Sequence, residues 1–535
     1  MPLGPAFGVI QRAFNALLRL HHQRLTRENH NLGFNVQLSS KCLIPAIILG
    51  FSTRLTKMND STTPTELSSS PVTEPVDEKK LDALLDRING LGGGSDNKGD
   101  QPANTAQPTS EPGETTGPFF TRAPENVQEL GISETSVEEL ITKFLMAKGE
   151  SSIREIAEQI AIPLELAEKL ITGMKNDQLL GYIGQAALND YIVKLTELGR
   201  DRGKRYNEFC TYFGAAPVPF QSYVESITAQ TIDNQNPTED DLKRAFSDLL
   251  IDPEMMIKLG PAVNSGKGMF LFGYPGNGKT SIAERVTSSF GKYIWIPRAI
   301  TVDRDIIRVF DPMNHVEAPE EKSEGLLNEQ DYDKRWVKIE RPTIVVGGEL
   351  TMDHLEIAYN ATTGISEAPV QMKSNCGTLV IDDFGRQRMS VDELLNRWIV
   401  PLEKRYDFLN TSNGKKIQVP FDQLVIFSTN LEPKDLVDDA FLRRIPYKIE
   451  VPNPSLENFV KLFEIMCKVY KFEWHPEMIK RLIEKHYLPV NRPFRNCHPR
   501  DLLLQIKNYC LYQQKPIVLS DEGFDFAAEN YFSVV

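Results

Sequence analysis

Cysteine is scarce: six among 535 residues, at positions 42, 210, 376, 467, 497 and 510, with no C-x-x-C pair. That spacing excludes a disulfide framework and a zinc ribbon, and a reducing, cytoplasmic setting is the expectation. Long apolar runs are missing too. The longest, residues 42–51, is about half of the roughly 20 residues a membrane-spanning helix needs, and Pro45 interrupts it, so no membrane segment is expected. Net positive charge is absent, with 60 Lys and Arg against 73 Asp and Glu and a net charge of −13. Any affinity for nucleic acid or anionic lipid therefore needs a local basic patch. What is present is ordinary for a globular protein: 41% hydrophobic and 25% charged residues exclude collagen-like and wholly disordered classes. A chain of this length holds two to four domains.

The composition changes along the chain. Residues 1–57 carry seven bases against one acid, Glu28. An Arg-rich, acid-poor start with an amphipathic stretch at 10–25 fits a transit peptide. The preferred reading is that translation begins at Met58 and that the upstream segment is not native. Residues 58–130 are dominated by Ser, Thr, Pro, Gly and Asn and read as a flexible linker, with helical spacing only at 78–88, a short helix or docking peptide. Order returns at 131–205. Helical spacing at 137–147, a Ser152 cap before SIREIAEQI and a third helix over 163–180 precede a two-stranded wing at 182–199. This succession resembles a winged helix-turn-helix domain. A Pro-containing connector covers 206–240. In 241–452, strand-like runs at 268–273, 293–297, 378–382 and 423–429 alternate with helices, which predicts an α/β unit with a parallel sheet. Residues 453–535 are mostly amphipathic helix, a C-terminal lid.

The most informative residues are 273–280, GYPGNGKT, which satisfy G-x-x-x-x-G-K-S/T between a strand-like GMFLF and a helical SIAERVTSSF. Gly273, Gly276 and Gly278 free the backbone to turn successive N–H groups inward at phosphates beside a helix N-terminus, and Pro275, Asn277 and Ser281 complete the cradle. Lys279 would neutralise the β and γ phosphates of ATP, and Thr280 would ligate magnesium. Downstream, TLVIDDFG at 378–385 is an apolar strand ending in two carboxylates. Asp382 would hold the hydrated magnesium and Asp383 would orient or deprotonate the attacking water.

These two motifs, with the order of the segments downstream of them, resemble the AAA+ ATPase superfamily. Many of its members carry Glu where Asp383 stands; Asp is one methylene shorter, so the water must sit closer or turnover is slower. The resemblance implies that Asn430, ending LVIFSTN, is the sensor 1 residue that hydrogen-bonds the γ-phosphate or the water. It implies that Arg443 or Arg444, in DDAFLRRIPYKI, is an arginine finger reaching the ATP of a neighbouring subunit. It also implies that Arg500, in CHPRD, is sensor 2 on the lid, with Pro499 where the superfamily usually has Gly or Ala. About eighty residues between 297 and 378 form an insertion, and its VVGGEL lacks the aromatic of a polypeptide-threading loop, so a threading unfoldase is not expected.

In the front domain, 134–200 holds eleven acids and seven bases. The basic residues cluster only at Arg200, Arg202, Lys204 and Arg205, just after the wing. A docking role toward a protein outweighs DNA binding on that count. The expectation is a magnesium-dependent ATPase that forms a homo-oligomeric ring such as a hexamer and remodels a protein client, with no membrane partner. Two alternatives stay open: a DNA-directed helper or loader, and a nucleotide-controlled scaffold with little hydrolysis.

Overall fold

The computed structural model describes residues 119–187, 190–319 and 332–533. The 1–57 segment and the 78–88 helix expected inside the linker lie outside the described residues.

An all-parallel, five-stranded sheet forms the centre. From edge to edge it runs Thr343–Val346, Gly377–Ile381, Gln423–Thr429, Met269–Phe272 and Tyr447–Glu450. Gly377–Ile381 and Gln423–Thr429 are buried at every residue. Helices cover both faces, with Leu259, Val263, Ile282 and Val286 packed on one side and Leu394, Leu395, Trp398 and Phe441 on the other. Continuous apolar runs are what a doubly covered parallel sheet requires. The first strand, Met269–Phe272, lies between Gln423–Thr429 and Tyr447–Glu450. The chain therefore leaves neighbouring strands in opposite directions at this point, which opens a crevice at their carboxyl ends.

The 293–297 run is not part of this sheet, contrary to its apolar appearance. Tyr293–Pro297 pairs antiparallel with Trp336–Glu340. The neighbouring central strand is supplied instead by Thr343–Val346, from within the insertion. Its IVV triplet is as apolar as the 293–297 run, so local pattern does not separate them. The rest of the insertion, with Val218–Pro219 from the preceding connector, builds a second, mixed sheet ordered Ala358–Asn360, Ile365–Glu367, Asp305–Arg308, Ala299–Val302 and Val218–Pro219. It shares a core with the hairpin Tyr406–Asn410 and Lys416–Pro420.

Ahead of these sheets, helices Glu134–Lys148, Ile153–Ile160 and Leu164–Asn176 pack with a three-stranded antiparallel sheet ordered Glu150–Ser152, Tyr191–Leu195 and Leu180–Gln185. Ser152 caps its helix in a reciprocal capping box with Glu155. The third helix stops at Asn176 rather than reaching residue 180, because Gln178 takes a left-handed φ of 60° and Leu180 enters the sheet. Beyond the wing, Thr196 caps a further helix, Glu197–Phe209, so the basic cluster is helical. Residues 119–130, part of the stretch read as linker, are ordered. Phe119 meets Trp336 edge-on at 5.7 Å, Phe120 meets Trp295 at 6.3 Å, and Arg122 bridges to Tyr332.

The lid comprises Leu456–Tyr470, Pro476–His486, His498–Tyr512 and Asp521–Phe532 around Phe459, Phe463, Leu503 and Ile506. Among the described residues no helix is long and apolar enough to cross a membrane.

Candidate functional site

Three adjacent central strands deliver the motif residues to one place. Phe272 ends the first strand and the chain turns through Gly273, Gly276 and Gly278, with φ of 140°, 84° and 85°, before the helix Lys279–Val286 begins. A Cβ at Gly273 would run into the carbonyl oxygen of Val451, and one at Gly276 into the sulfur of Cys497. Both positions therefore exclude larger residues on backbone conformation and on space.

Lys279 is buried. Its Nζ donates to the Gly273 carbonyl at 2.9 Å, the Tyr274 carbonyl at 3.1 Å and Asn430 Oδ1 at 2.7 Å. Burial lowers its pKa below the ordinary lysine value, against the opposing pull of Asp382 and Asp383. The hydroxyl of Thr280 donates to Asp382 Oδ2 at 2.9 Å. Asn430 Nδ2 donates to Asp383 Oδ1 at 3.2 Å. Asp383 has a left-handed φ of 49°, tolerated by Asp better than by most side chains, and its N–H donates to Asp382 Oδ1 at 3.0 Å.

Gln387 braces this strained turn. Its Nε2 donates to the carbonyls of Asp382 and Asp383, and its Oε1 accepts from Gly385 N–H. Sequence reasoning missed it, since a glutamine four residues past an acidic pair carries no motif. It also missed the apolar wall. The crevice is a cavity of about 540 Å³ that runs from Lys279, Asp382, Asp383 and Asn430 to Leu249, Leu250 and Ile251 facing Leu462, Ile465 and Met466 of the lid. Pro275, Asn277, Ser281 and Arg500 also line it.

The arginines separate. Arg444 is tied down, its Nε to Glu403 at 2.6 Å and its Nη1 to the Ala440 carbonyl at 2.7 Å. Arg443 is exposed, and among the described residues its guanidinium makes no hydrogen bond or ion pair; only its backbone N–H is engaged, on the Asp439 carbonyl. Arg500 lies at the crevice rim with its Nε on Asp501 at 2.8 Å, which raises its pKa. Arg495, Asn496 and Cys497 contact the glycine loop directly; Cys497 falls in the CHPRD segment read from sequence, but nothing there marked Arg495 or Asn496.

By fold the described chain is an α/β protein built on a parallel sheet, its crevice at the carboxyl edge roofed by a helical lid. A family model described as a domain of unknown function (DUF8689) matches residues 455–530, the lid alone. No curated protein matches the sequence. Among solved structures, a mutant of RuvB from Thermotoga maritima aligns at TM-score 0.30 and 11% identity over 57% of this chain and 74% of that one. A second mutant of the same RuvB gives 0.32 and 10%, over 54% and 72%. NtrX from Brucella abortus in complex with ATP gives 0.33 and 13%, over 53% and 59%. Likeness of this extent assigns no role to any residue here.

Proposed function

We propose that the chain is a magnesium-dependent ATPase of the AAA+ type, acting in the cytoplasm as a homo-oligomeric ring that remodels a protein partner. The observation that carries this reading is one hydrogen-bonded chain. Thr280 to Asp382, Asp382 to Asp383, Asp383 to Asn430 and Asn430 to Lys279 join the ends of three adjacent strands at one end of the crevice.

The acceptors on Lys279 are two backbone carbonyls and one amide oxygen, all neutral. Phosphate oxygens carry full charge and displace them, so the lysine is already directed where β and γ phosphates lie. Asp383 accepts a hydrogen from the attacking water, and Asn430 fixes the position of that carboxylate. Thr280 and Asp382 present the hard oxygen donors that magnesium takes. When bound, magnesium offsets charge on the phosphate oxygens. Leu249, Leu250 and Ile251 with Ile465 and Met466 give the base an apolar slot. Arg443 is the finger offered to a neighbouring subunit, because Arg444 is already committed to Glu403.

The front unit supports a winged-helix reading through its order of helix, short strand, two helices and two-stranded wing. Three bases of its cluster already have partners. Arg200 donates to the Leu195 carbonyl, Arg202 pairs with Glu138 at 3.9 Å and Lys204 with Asp201 at 3.0 Å. That favours a protein partner over duplex DNA.

The test is steady-state ATP hydrolysis against protein concentration, with magnesium. A specific activity that rises with concentration is expected, since the site is completed between subunits. Tight ATP binding with flat, near-zero turnover selects the nucleotide-controlled scaffold. Absence of ATP binding sinks the assignment.

A further inference from the structure

Three successive carbonyls on the outer side of the glycine loop are held by three successive residues of the lid. Arg495 Nη1 donates to the Pro275 carbonyl at 2.8 Å, Cys497 N–H to the Gly276 carbonyl at 2.9 Å and Asn496 Nδ2 to the Asn277 carbonyl at 2.9 Å. The Arg495 guanidinium also lies 5.1 Å from the Tyr274 ring centroid. Asn277 is buried, and its Nδ2 donates to the Pro452 carbonyl and to Asn453 Oδ1, in the segment between the last strand and the lid.

The donor loop leads directly into the His498–Tyr512 helix, whose first turn is bonded to the rest of the lid. His498 Nδ1 and Tyr487 Oη are 3.0 Å apart, and Tyr531 Oη donates to Asp501 at 2.9 Å. In a loop that cradles an anion, N–H groups point in and the carbonyls of the same peptide units point out. Pro275, Gly276 and Asn277 carbonyls belong to the peptides whose N–H groups sit on Gly276, Asn277 and Gly278. A donor on each carbonyl polarises the N–H at the other end of the unit, since hydrogen bonds in a chain strengthen one another.

We propose that Arg495 and Asn496, with the Cys497 backbone, are positioning residues that latch the lid to the glycine loop, so that phosphate affinity and lid rigidity are linked through these three carbonyls. The inference rests on the nucleotide reading of the crevice and adds a route independent of Arg500, whose Nε is held by Asp501. Linkage is reciprocal: the latch tightens phosphate binding, and bound phosphate must stabilise the lid by the same factor.

The experiment compares the full chain with the double variant Arg495→Ala/Asn496→Ala and the isosteric Asn496→Asp, which turns a donor into an acceptor facing the Asn277 carbonyl. ATPγS affinity is read by calorimetry, and hydrogen exchange of the His498–Tyr512 helix is followed with and without saturating ATPγS. Expected are an affinity about tenfold weaker in the double variant and a ligand-induced slowing of exchange that is present in the native chain and lost in both variants. Arg495→Lys, which keeps a donor, restores part of both effects. Faster exchange without ligand but an undiminished slowing on ATPγS means a merely structural role and overturns the proposal, as does unchanged affinity. A native chain that does not bind ATPγS fails the underlying nucleotide reading instead, and is seen before any variant is compared.

Discussion

Asn430 and Lys279 are bonded at 2.7 Å, the amide oxygen of one accepting from the ammonium of the other. The same side chain donates from its nitrogen to Asp383, so one amide orients a cation and a carboxylate that would otherwise attract each other directly. Asn430→Asp abolishes that separation. It places a third carboxylate beside Asp382 and Asp383 and gives Lys279 an ionic partner that competes with phosphate. The expected result is a kcat reduced about a hundredfold with ATP affinity weakened as well, measured by steady-state kinetics and calorimetry. Unchanged kcat excludes Asn430 from the reaction.

The two arginines of DDAFLRR give opposite outcomes. Arg443→Ala should lower kcat about a thousandfold and leave ATP affinity within twofold, as expected of a group that meets only a neighbour's phosphates. Mixing it with Asp383→Ala should regain part of the activity at mixed interfaces. Arg444→Ala breaks the bond to Glu403 and should cost about 1 kcal/mol of stability with little effect on turnover. Thermal melts and turnover of the two variants distinguish the roles; loss of turnover confined to Arg444→Ala reverses them.

The motifs were legible where chemistry restricts residue choice. Gly276 and Gly278 stand at left-handed φ, Thr280 bonds Asp382, and Lys279 lines the same crevice. Interactions between distant segments left no such trace. Phe119 and Phe120 pack on Trp336 and Trp295, some two hundred residues away. Tyr293–Pro297 and Thr343–Val346 are equally apolar, and only pairing partners decide which joins the central sheet. The Leu249–Ile251 wall becomes part of a site because the lid closes over it.

Acid should loosen the lid. His498 is buried against Tyr487, and burial pushes its pKa from the ordinary 6.5 down to about 4. The unfolded chain takes up a proton below about pH 6.5 while the folded lid stays neutral. Stability therefore falls as the pH drops from about 6.5 toward 4, by up to roughly 3 kcal/mol. Urea melts at pH 7, 6 and 5 read this slope. His498→Gln, which cannot protonate, should lose this contribution to it; an identical slope in the variant assigns the pH dependence elsewhere.

The base end of the crevice offers a separable test because it is built from different elements than the phosphate end. Ile465 is 41% exposed on Leu456–Tyr470 and lines the cavity together with Leu249, Leu250 and Ile251. Ile465→Glu leaves the lid core of Phe459, Phe463 and Cys467 intact, so stability should change by no more than about 0.5 kcal/mol. It does place a carboxylate among the apolar side chains that, on the proposed reading, would hold the base. ATP affinity should fall at least about tenfold, while inorganic tripolyphosphate, which on the proposed reading would engage only Lys279, the glycine loop and Thr280, should bind as before. Equal losses for both ligands mean that the phosphate end was disturbed. No loss for either means that the base lies outside this slot, and the apolar wall then serves lid packing alone.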